Sequence, residues 1–351
     1  MTQVSLGRAE ACANIALAKY WGKSERGSNL TAVPSLSLTL DALRTRTEVR
    51  FDSSLSTDCL RLGGEDVSGR PLERVTELLQ RLRRLSSEKR FASVVSENNF
   101  PTAAGLASSA SGFAALSMAA AQGAGLAQTP GQLSGHARRS SASAARSLFE
   151  GFALLGAEKD EAEALLPAAY WEVVMVVAVV SSGPKAIGST GGMVHTKKTS
   201  PFYKSWVSEA PAIYEEIKQG VLMKDFEQVA DAMEHSTRLM HATMLTSRPP
   251  VLYLKGPTME LMHEIDFLRK SGSPAAYTMD AGPNVKVLTL RSEAPKIARF
   301  LNSFPGVEST IVCAPGPGAS TLALTGSLKD AARDDNWLPG TLTPASNGHS
   351  S

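Results

Sequence analysis

An α+β fold in two units is predicted by three observations. The first hundred residues alternate apolar and polar side chains as strands do. A run of Ala, Ser and Gly at 101–112 turns a loop into a helix. From about Pro201, longer amphipathic helices alternate with short strand-like pieces. The chain has 351 residues, 43% hydrophobic and 20% charged, enough to fill the cores of two ordinary domains.

In chain order, SLSLTL (35–40) and TRTEVRF (45–51) alternate with the period of strands, and PLERVTELLQRLRRL (71–85) has helical spacing. FASVVSEN is a short strand leading into NNFPTAAGLASSASGFAAL, the loop that becomes a helix. SAARSLFEGFALL carries a helical signal that Gly151, Gly156 and the polar segment after Leu155 interrupt. The apolar run 173–180 predicts a strand buried on both faces and is far short of the ~20 residues of a membrane span. A Gly, Ser and Lys-rich stretch follows at 181–198. Then come the helices SEAPAIYEEIKQGVLM, DFEQVADAMEHSTRLMHATML and PTMELMHEIDFLRKS, and the strands AAYTMD, NVKVLTL and STIVCAP. The expected division is a first domain over 1–185, a second over 186–329, and a polar, mobile tail over 330–351. With no repeat of fixed period, a solenoid is excluded.

Composition narrows the function. Lys and Arg total 36 against 34 Asp and Glu, so the net charge of +2 gives no field that argues for nucleic acid or a membrane surface. Cys12, Cys59 and Cys313 are too few and too scattered for a disulfide framework, and the six histidines have no zinc spacing. His241 reads as a helix packing residue and His195 as a loop residue. The N-terminal segment, broken by Arg8, Glu10 and Lys19, is not a secretory signal, so a reducing cytoplasm is expected.

Four segments can carry chemistry. In PTAAGLASSASG (101–112), small residues let backbone N–H groups approach an anion at a helix start, and Ser108 and Ser109 offer hydroxyls to phosphate or magnesium. This is not the Walker sequence, and read alone it is first a tightly packed Ala-rich helix with no ligand. In SSASAARS (140–147), a helix from about Ser143 puts Ser143 and Arg146 on one face beside Ser141, a fork for carboxylate or phosphate; an ordinary solvated Arg competes with that reading. ANIALAKYWGKS (13–24) gathers Lys19, Tyr20, Trp21 and Lys23, although strand alternation would send Tyr20 to the opposite face from Lys19 and Trp21. In YTMDAGPNVKV (277–287), Asp280 ends a strand before a turn of small residues, where it is an accessible carboxylate or a turn-capping one.

In this order the four segments, with MHATML and PPVLYL, resemble the diphosphomevalonate decarboxylases of the GHMP kinase superfamily, over residues 10 to 290. The resemblance implies a ribosomal protein S5 domain 2-like N-terminal domain that binds ATP, an α+β C-terminal domain, and a substrate cleft between them. It implies ATP and Mg2+ as cofactors, with Pro101, Ala104, Gly105, Leu106, Ala107, Ser108, Ser109 and Lys185 toward ATP and with Ser108 and Ser109 toward the metal. It further implies that Tyr20, Lys23, Ser141, Ser143, Arg146, Ser189 and Met193 contact the substrate, mevalonate 5-diphosphate. Asp280, Lys19 and Arg146 are its catalytic set, and a homodimer is expected. Two positions depart from the family pattern: its usual glycines are replaced by Ser140 and Ala142, and Thr190 stands where some bacterial relatives carry an Arg near the diphosphate.

The implied reaction is phosphorylation of a tertiary 3-hydroxyl, which turns a poor leaving group into a good one, followed by loss of phosphate and carbon dioxide to give isopentenyl diphosphate. Asp280 takes or orients the hydroxyl proton. Phosphomevalonate decarboxylase or mevalonate 3-kinase activity on the same scaffold, and a silent sensor of ATP or mevalonate phosphate, are the alternatives, since fold does not choose among them.

Overall fold

The computed structural model describes residues 4–100, 107–181, 183, 187–325, 328 and 343–344. Its first sheet is built from β1 (Val4–Ala18), β2 (Ser35–Asp52), β3 (Cys59–Leu62), β4 (Glu65–Val67), β5 (Phe91–Asn98), β6 (Phe152–Leu155) and β7 (Glu163–Leu166). Helices α1 (Arg70–Leu85), α2 (Ser108–Gly123) and α3 (Pro130–Ser140) and a 3-10 helix over Ala142–Leu148 accompany it. The second half holds β8 (Val173–Val179), α4 (Ser189–Thr199), α5 (Tyr203–Met223), α6 (Phe226–Leu245), α7 (Gly256–Lys270), β9 (Ala275–Thr278), β10 (Val285–Leu290), α8 (Ala294–Ser303) and β11 (Ser309–Cys313). Two short strands, β12 (Ser320–Thr321) and β13 (Thr343–Pro344), close the order.

The first sheet runs β12-β1-β2-β5-β3-β4, with β6 on β2 and β7 on β6; the second runs β13-β11-β8-β10-β9. The two strands read at 35–40 and 45–51 are one long strand, β2. Its first residues pair with β6 and its last with β5. FALL, read as the end of a helix, is strand β6. Gly151 in the left-handed region (φ 54°) turns the chain between the 3-10 helix and this strand, where an added Cβ would lie 2.6 Å from the Leu166 carbonyl oxygen.

Sheet membership also moves the division between the halves. The strand at 173–180 is buried along its length, as its composition predicts, but it pairs with β10 and β11 of the second sheet. The change of sheet therefore falls before Val173, earlier than the boundary expected near 185. A hydrophobic run gives burial but not the partner strand. The chain also returns, since β12 pairs with β1 at Ala9 and Glu10. Of the tail expected after residue 330, only 343–344 lie within the described residues, as β13 on β11.

One core joins the halves. Ile15, Leu36 and Leu38 of the first sheet pack with Met175 and Val177 of β8 and with Ile217 and Met233 of α5 and α6. This shared core fixes the ends of β1 and β9 relative to each other. A second core packs α1 and α2 on the first sheet through Val49, Phe51, Leu78, Leu82, Ala115 and Ala119. Alanine along α2 brings the helix backbone close to β1, and Gly7 marks the closest approach: a Cβ there would lie 1.9 Å from the Ala119 carbonyl oxygen. Among the described residues no helix is long and apolar enough to cross a membrane.

Gly7→Ala is therefore expected to push α2 off the sheet and cost about 1–3 kcal/mol or more, as overpacking of a filled core does. Denaturant unfolding at equilibrium checks this, with a lower midpoint and an unchanged slope as the expected result.

Candidate active site

A cavity of about 500 Å3 opens between the halves, and its walls come from all four sequence segments. The N-terminus of α2 reaches it through Ala107 and Ser109, the 140–146 segment through Ser141, Ser143 and Arg146, and the end of β1 through Tyr20 and Lys23. The opposite wall carries Ser189, Thr190 and Met193 of α4 and Asp280 after β9. Neither α2 nor α4 has a side-chain cap, so their first backbone N–H groups add partial positive charge to the cavity from both sides. Ala107 caps α2 in the left-handed region at φ 60°, a costly conformation for a residue with a Cβ. Among the described residues, the charged lining is Lys23, Arg70, Arg74 and Arg146 against Asp280. Such a cavity recruits anions.

Arg146 is 1% exposed. Its Nε donates to Ser37 Oγ at 2.8 Å, Nη1 to Ser35 Oγ at 2.5 Å and Nη2 to Asn14 Oδ1 at 3.1 Å, while its guanidinium sits 5.8 Å from the Tyr20 ring centre. Asn14 is itself oriented by donating Nδ2 to the Ser143 carbonyl at 2.9 Å and to Ser147 Oγ at 2.7 Å. All of these partners are neutral, and among the described residues Arg146 makes no ion pair. Burial pushes its pKa down, with the Tyr20 hydroxyl and Asp280 acting the other way. A buried guanidinium with no ion-pair partner among the described residues is stabilised by an anion that enters the cavity.

Asp280 follows β9, just past the last ladder pair of Thr278 with Lys286. Lys19 Nζ donates to its Oδ1 at 2.8 Å, from a side chain that is 1% exposed against 29% for Asp280. Burial drives the Lys19 pKa down and the Asp280 charge and hydrogen bond pull it back up. The cation stands behind the carboxylate, whose remaining surface faces the cavity. Beyond β1 the backbone is irregular, so strand alternation no longer applies. Tyr20 and Trp21 both line the cavity, and Trp21 also packs with Met193, Tyr203 and Trp206.

At the other end, Lys23 bonds Asn29 Oδ1, and Arg74 donates to the Ser140 carbonyl at 2.6 Å and lies 4.5 Å from the Phe113 ring centre. Burial, with Arg74 and Arg138 nearby, brings the Lys23 pKa down to about 8. A second cavity of about 180 Å3, largely apolar, lies along α2 between Phe113, Val94 and Leu60 and shares Arg74 and Ser109 with the first. Ser108 lines this second cavity and not the first, whereas Ser109 lines both.

Ser143 and Arg146 do share a face, but on a 3-10 helix, in which residues three apart eclipse one another, and not on the expected α-helix. Pro101, Ala104, Gly105, Leu106 and Lys185 lie outside the described residues. Sequence reasoning missed Asn14, Ser35 and Ser37, which hold Arg146, and Arg70 and Arg74. The serines alternate with buried leucines in β2, the pattern of a strand with one solvated face. That polar face instead lies under a buried guanidinium.

Residues 11–166 match the diphosphomevalonate decarboxylase-like N-terminal domain, and residues 175–333 the mevalonate 5-diphosphate decarboxylase C-terminal domain. The diphosphomevalonate decarboxylase of Candida albicans is 36% identical, with 82% of this chain and 85% of that protein covered. The chain belongs to the diphosphomevalonate decarboxylase family. Members of known structure superpose over nearly their whole length. The Staphylococcus aureus enzyme has a TM-score of 0.84 at 34% identity, covering 92% of this chain and 99% of the other. A structure described as MDDEF in complex with MVAPP, AMPPCP and magnesium has a TM-score of 0.84 at 37% identity, covering 91% and 99%. The two-sheet α+β architecture is the GHMP kinase fold of this family, and the chain is an ATP-dependent decarboxylase.

With a pKa of about 8, Lys23 is partly neutral at that pH, and an anion bound beside it raises that pKa. Binding of methyl diphosphate near pH 8 is therefore expected to take up protons, and affinity should fall as pH rises from 7 to 9. Calorimetry in buffers of different ionisation enthalpy measures the uptake, and Lys23→Met should remove this component.

Proposed function

We propose that the cavity carries out the family reaction on mevalonate 5-diphosphate with Asp280 at the 3-hydroxyl and Arg146 at the carboxylate that departs as carbon dioxide. The observation that carries this reading is the convergence, in one cavity, of a buried guanidinium that makes no ion pair among the described residues with a carboxylate backed by a buried lysine. Lys23, with Arg70, Arg74 and the first turn of α4 at Ser189 and Thr190, faces the substrate diphosphate, and Tyr20, Ser141, Ser143 and Met193 complete the pocket. These cations supply charge where Thr190 lacks it. Ser108, Ser109 and Ala107 face the ATP phosphates, and the apolar second cavity suits the nucleoside end, because it meets the first cavity at Ser109. The relatives named diphosphomevalonate decarboxylase favour the diphosphate over a monophosphate or an unphosphorylated acid.

Magnesium fits the donor chemistry. Among the described residues no group of three His, Cys, Asp or Glu gathers to hold a metal. The hydroxyls of Ser108 and Ser109 are hard oxygen donors of the kind that supplement phosphate oxygens and water around this ion. When bound with ATP, the ion supplies neutralisation of phosphate charge.

The chain's own groups then have defined tasks. Asp280 accepts the 3-hydroxyl proton as the oxygen takes the γ-phosphoryl group, and Lys19 holds the carboxylate in place for that transfer. The N-termini of α2 and α4 and the cavity cations stabilise charge developing on phosphate. As phosphate leaves C3, Arg146 keeps the carboxylate aligned so that its C–C bond pair moves into the new alkene and carbon dioxide departs. Three free cysteines, with Cys59 exposed, suit a reducing cytoplasm, and we retain the homodimer as the assembly to be tested by sedimentation.

Asp280→Asn is expected to lower the rate by about 10³-fold or more with substrate and ATP affinity within a few-fold, since the amide keeps the size but takes no proton. Parallel counts of ADP and carbon dioxide check this, and near-normal turnover would exclude the role. Arg146→Lys keeps the charge and loses the fork, so kcat/KM should fall by about 10²-fold while nucleotide affinity stays nearly unchanged. Strong loss of ATP binding with intact substrate kinetics would move Arg146 to the nucleotide site.

A further inference from the structure

His241 is a buried residue of α6 with no contact to the cavity itself; it is 4% exposed and absent from the cavity wall. Its Nε2 lies 2.9 Å from the backbone carbonyl oxygen of Asp280, which can only accept, so Nε2 carries the proton and donates. Burial, reinforced by the Lys19 charge and opposed by this bond, brings its pKa down to about 4, so the ring is neutral at working pH. A little over one turn earlier on the same helix, Ser236 Oγ accepts from the backbone N–H of Lys19 at 3.0 Å. Between them, Thr237 Oγ1 lies 3.1 Å from Thr278 Oγ1, at the last residue of β9. Both side chains of the Lys19–Asp280 pair extend from main chain that has just left its strand, one in each sheet, and α6 touches both main chains.

We propose that α6 is the alignment element of the reaction, with His241 and Ser236 as positioning residues that hold the Asp280 and Lys19 backbones at one spacing. The carboxylate then reaches the substrate hydroxyl already oriented, and the cost of ordering the turn at 280 is met during folding and not in each catalytic cycle. Neither residue touches substrate. The imidazole is neutral and acts only as a donor to the carbonyl, so no proton moves through it.

This inference rests on Asp280 acting at the 3-hydroxyl, and the test separates the two. Single-turnover ADP formation with saturating mevalonate diphosphate and Mg-ATP reads the phosphoryl step directly. His241→Leu is expected to slow it about 10- to 100-fold, the range in which misplaced catalytic groups fall, with affinity for both ligands within about two-fold. His241→Gln, which keeps an N–H donor, should recover most of the rate. Combining Ser236→Ala with His241→Leu should cost less than the product of the single losses, because both hold one pair. Val229→Ala is the control: this buried residue lies about two turns before Ser236 on the same helix and packs against Gly220 of α5, outside the cavity wall, so it should lower Tm with little effect on ADP formation. If His241→Leu reacts at the wild-type rate while Asp280→Asn is inactive, the positioning role is wrong and the role of Asp280 stands. If His241→Gln is as slow as His241→Leu, or if Val229→Ala slows the step equally at equal loss of Tm, the effect belongs to helix packing and the proposal fails. Near-normal Asp280→Asn turnover would instead remove the reading beneath it.

Discussion

The ion pair between Lys19 and Asp280 is the constraint on which the rest of the site depends. Lys19 is almost wholly removed from water and comes from the first sheet, while its counter-ion comes from the second. A buried ammonium without that acid would be strongly disfavoured, so the two halves must meet with the end of β1 against the end of β9. The core shared by Ile15, Leu38, Val177 and Ile217 supplies the burial that makes this meeting rigid. The cavity beside the pair follows from the same contact.

Arg146 completes the electrostatics by a different device. Its partners Ser35, Ser37 and Asn14 satisfy hydrogen bonds without neutralising charge, so the guanidinium is held in position yet remains positive. An acid in place of one serine would instead neutralise the guanidinium. The two buried cations thus differ. Lys19 pairs with a protein carboxylate, and Arg146 makes no ion pair among the described residues.

Much of this was legible in the sequence, and the exceptions have physical causes. Helices α1, α5, α6 and α7 show the 3.6-residue period, and Asp225 caps α6 as its position before the apolar run suggests. Helix α4 escapes that reading because STGGMVHTKKT has almost no amphipathic contrast; its first turn faces a cavity and not a core. Helix α3 also escapes the sequence reading, and the structure shows its start fixed by the reciprocal Thr129–Gln132 cap. The catalytic candidates Lys19, Arg146 and Asp280 are named by motif, whereas Asn14, Ser35, Ser37 and His241 act through distant partners. A serine in an alternating strand or a histidine in an apolar helix carries no local sign of what it will meet. His241 fits the packing role its sequence context suggests and adds a hydrogen bond that only the fold reveals.

A double-mutant cycle on Lys19 and Asp280 tests the dependence on this pair most directly. Single-turnover ADP formation would be measured for wild type, Lys19→Met, Asp280→Asn and the double variant, each with bound substrate and Mg-ATP verified. If the two side chains act as one unit, the double variant should be about as slow as the slower single variant, as catalytic groups that act together are grossly non-additive. Losses that multiply would mean that Lys19 contributes independently of Asp280, and the ion pair would then not be the constraint on which the site depends.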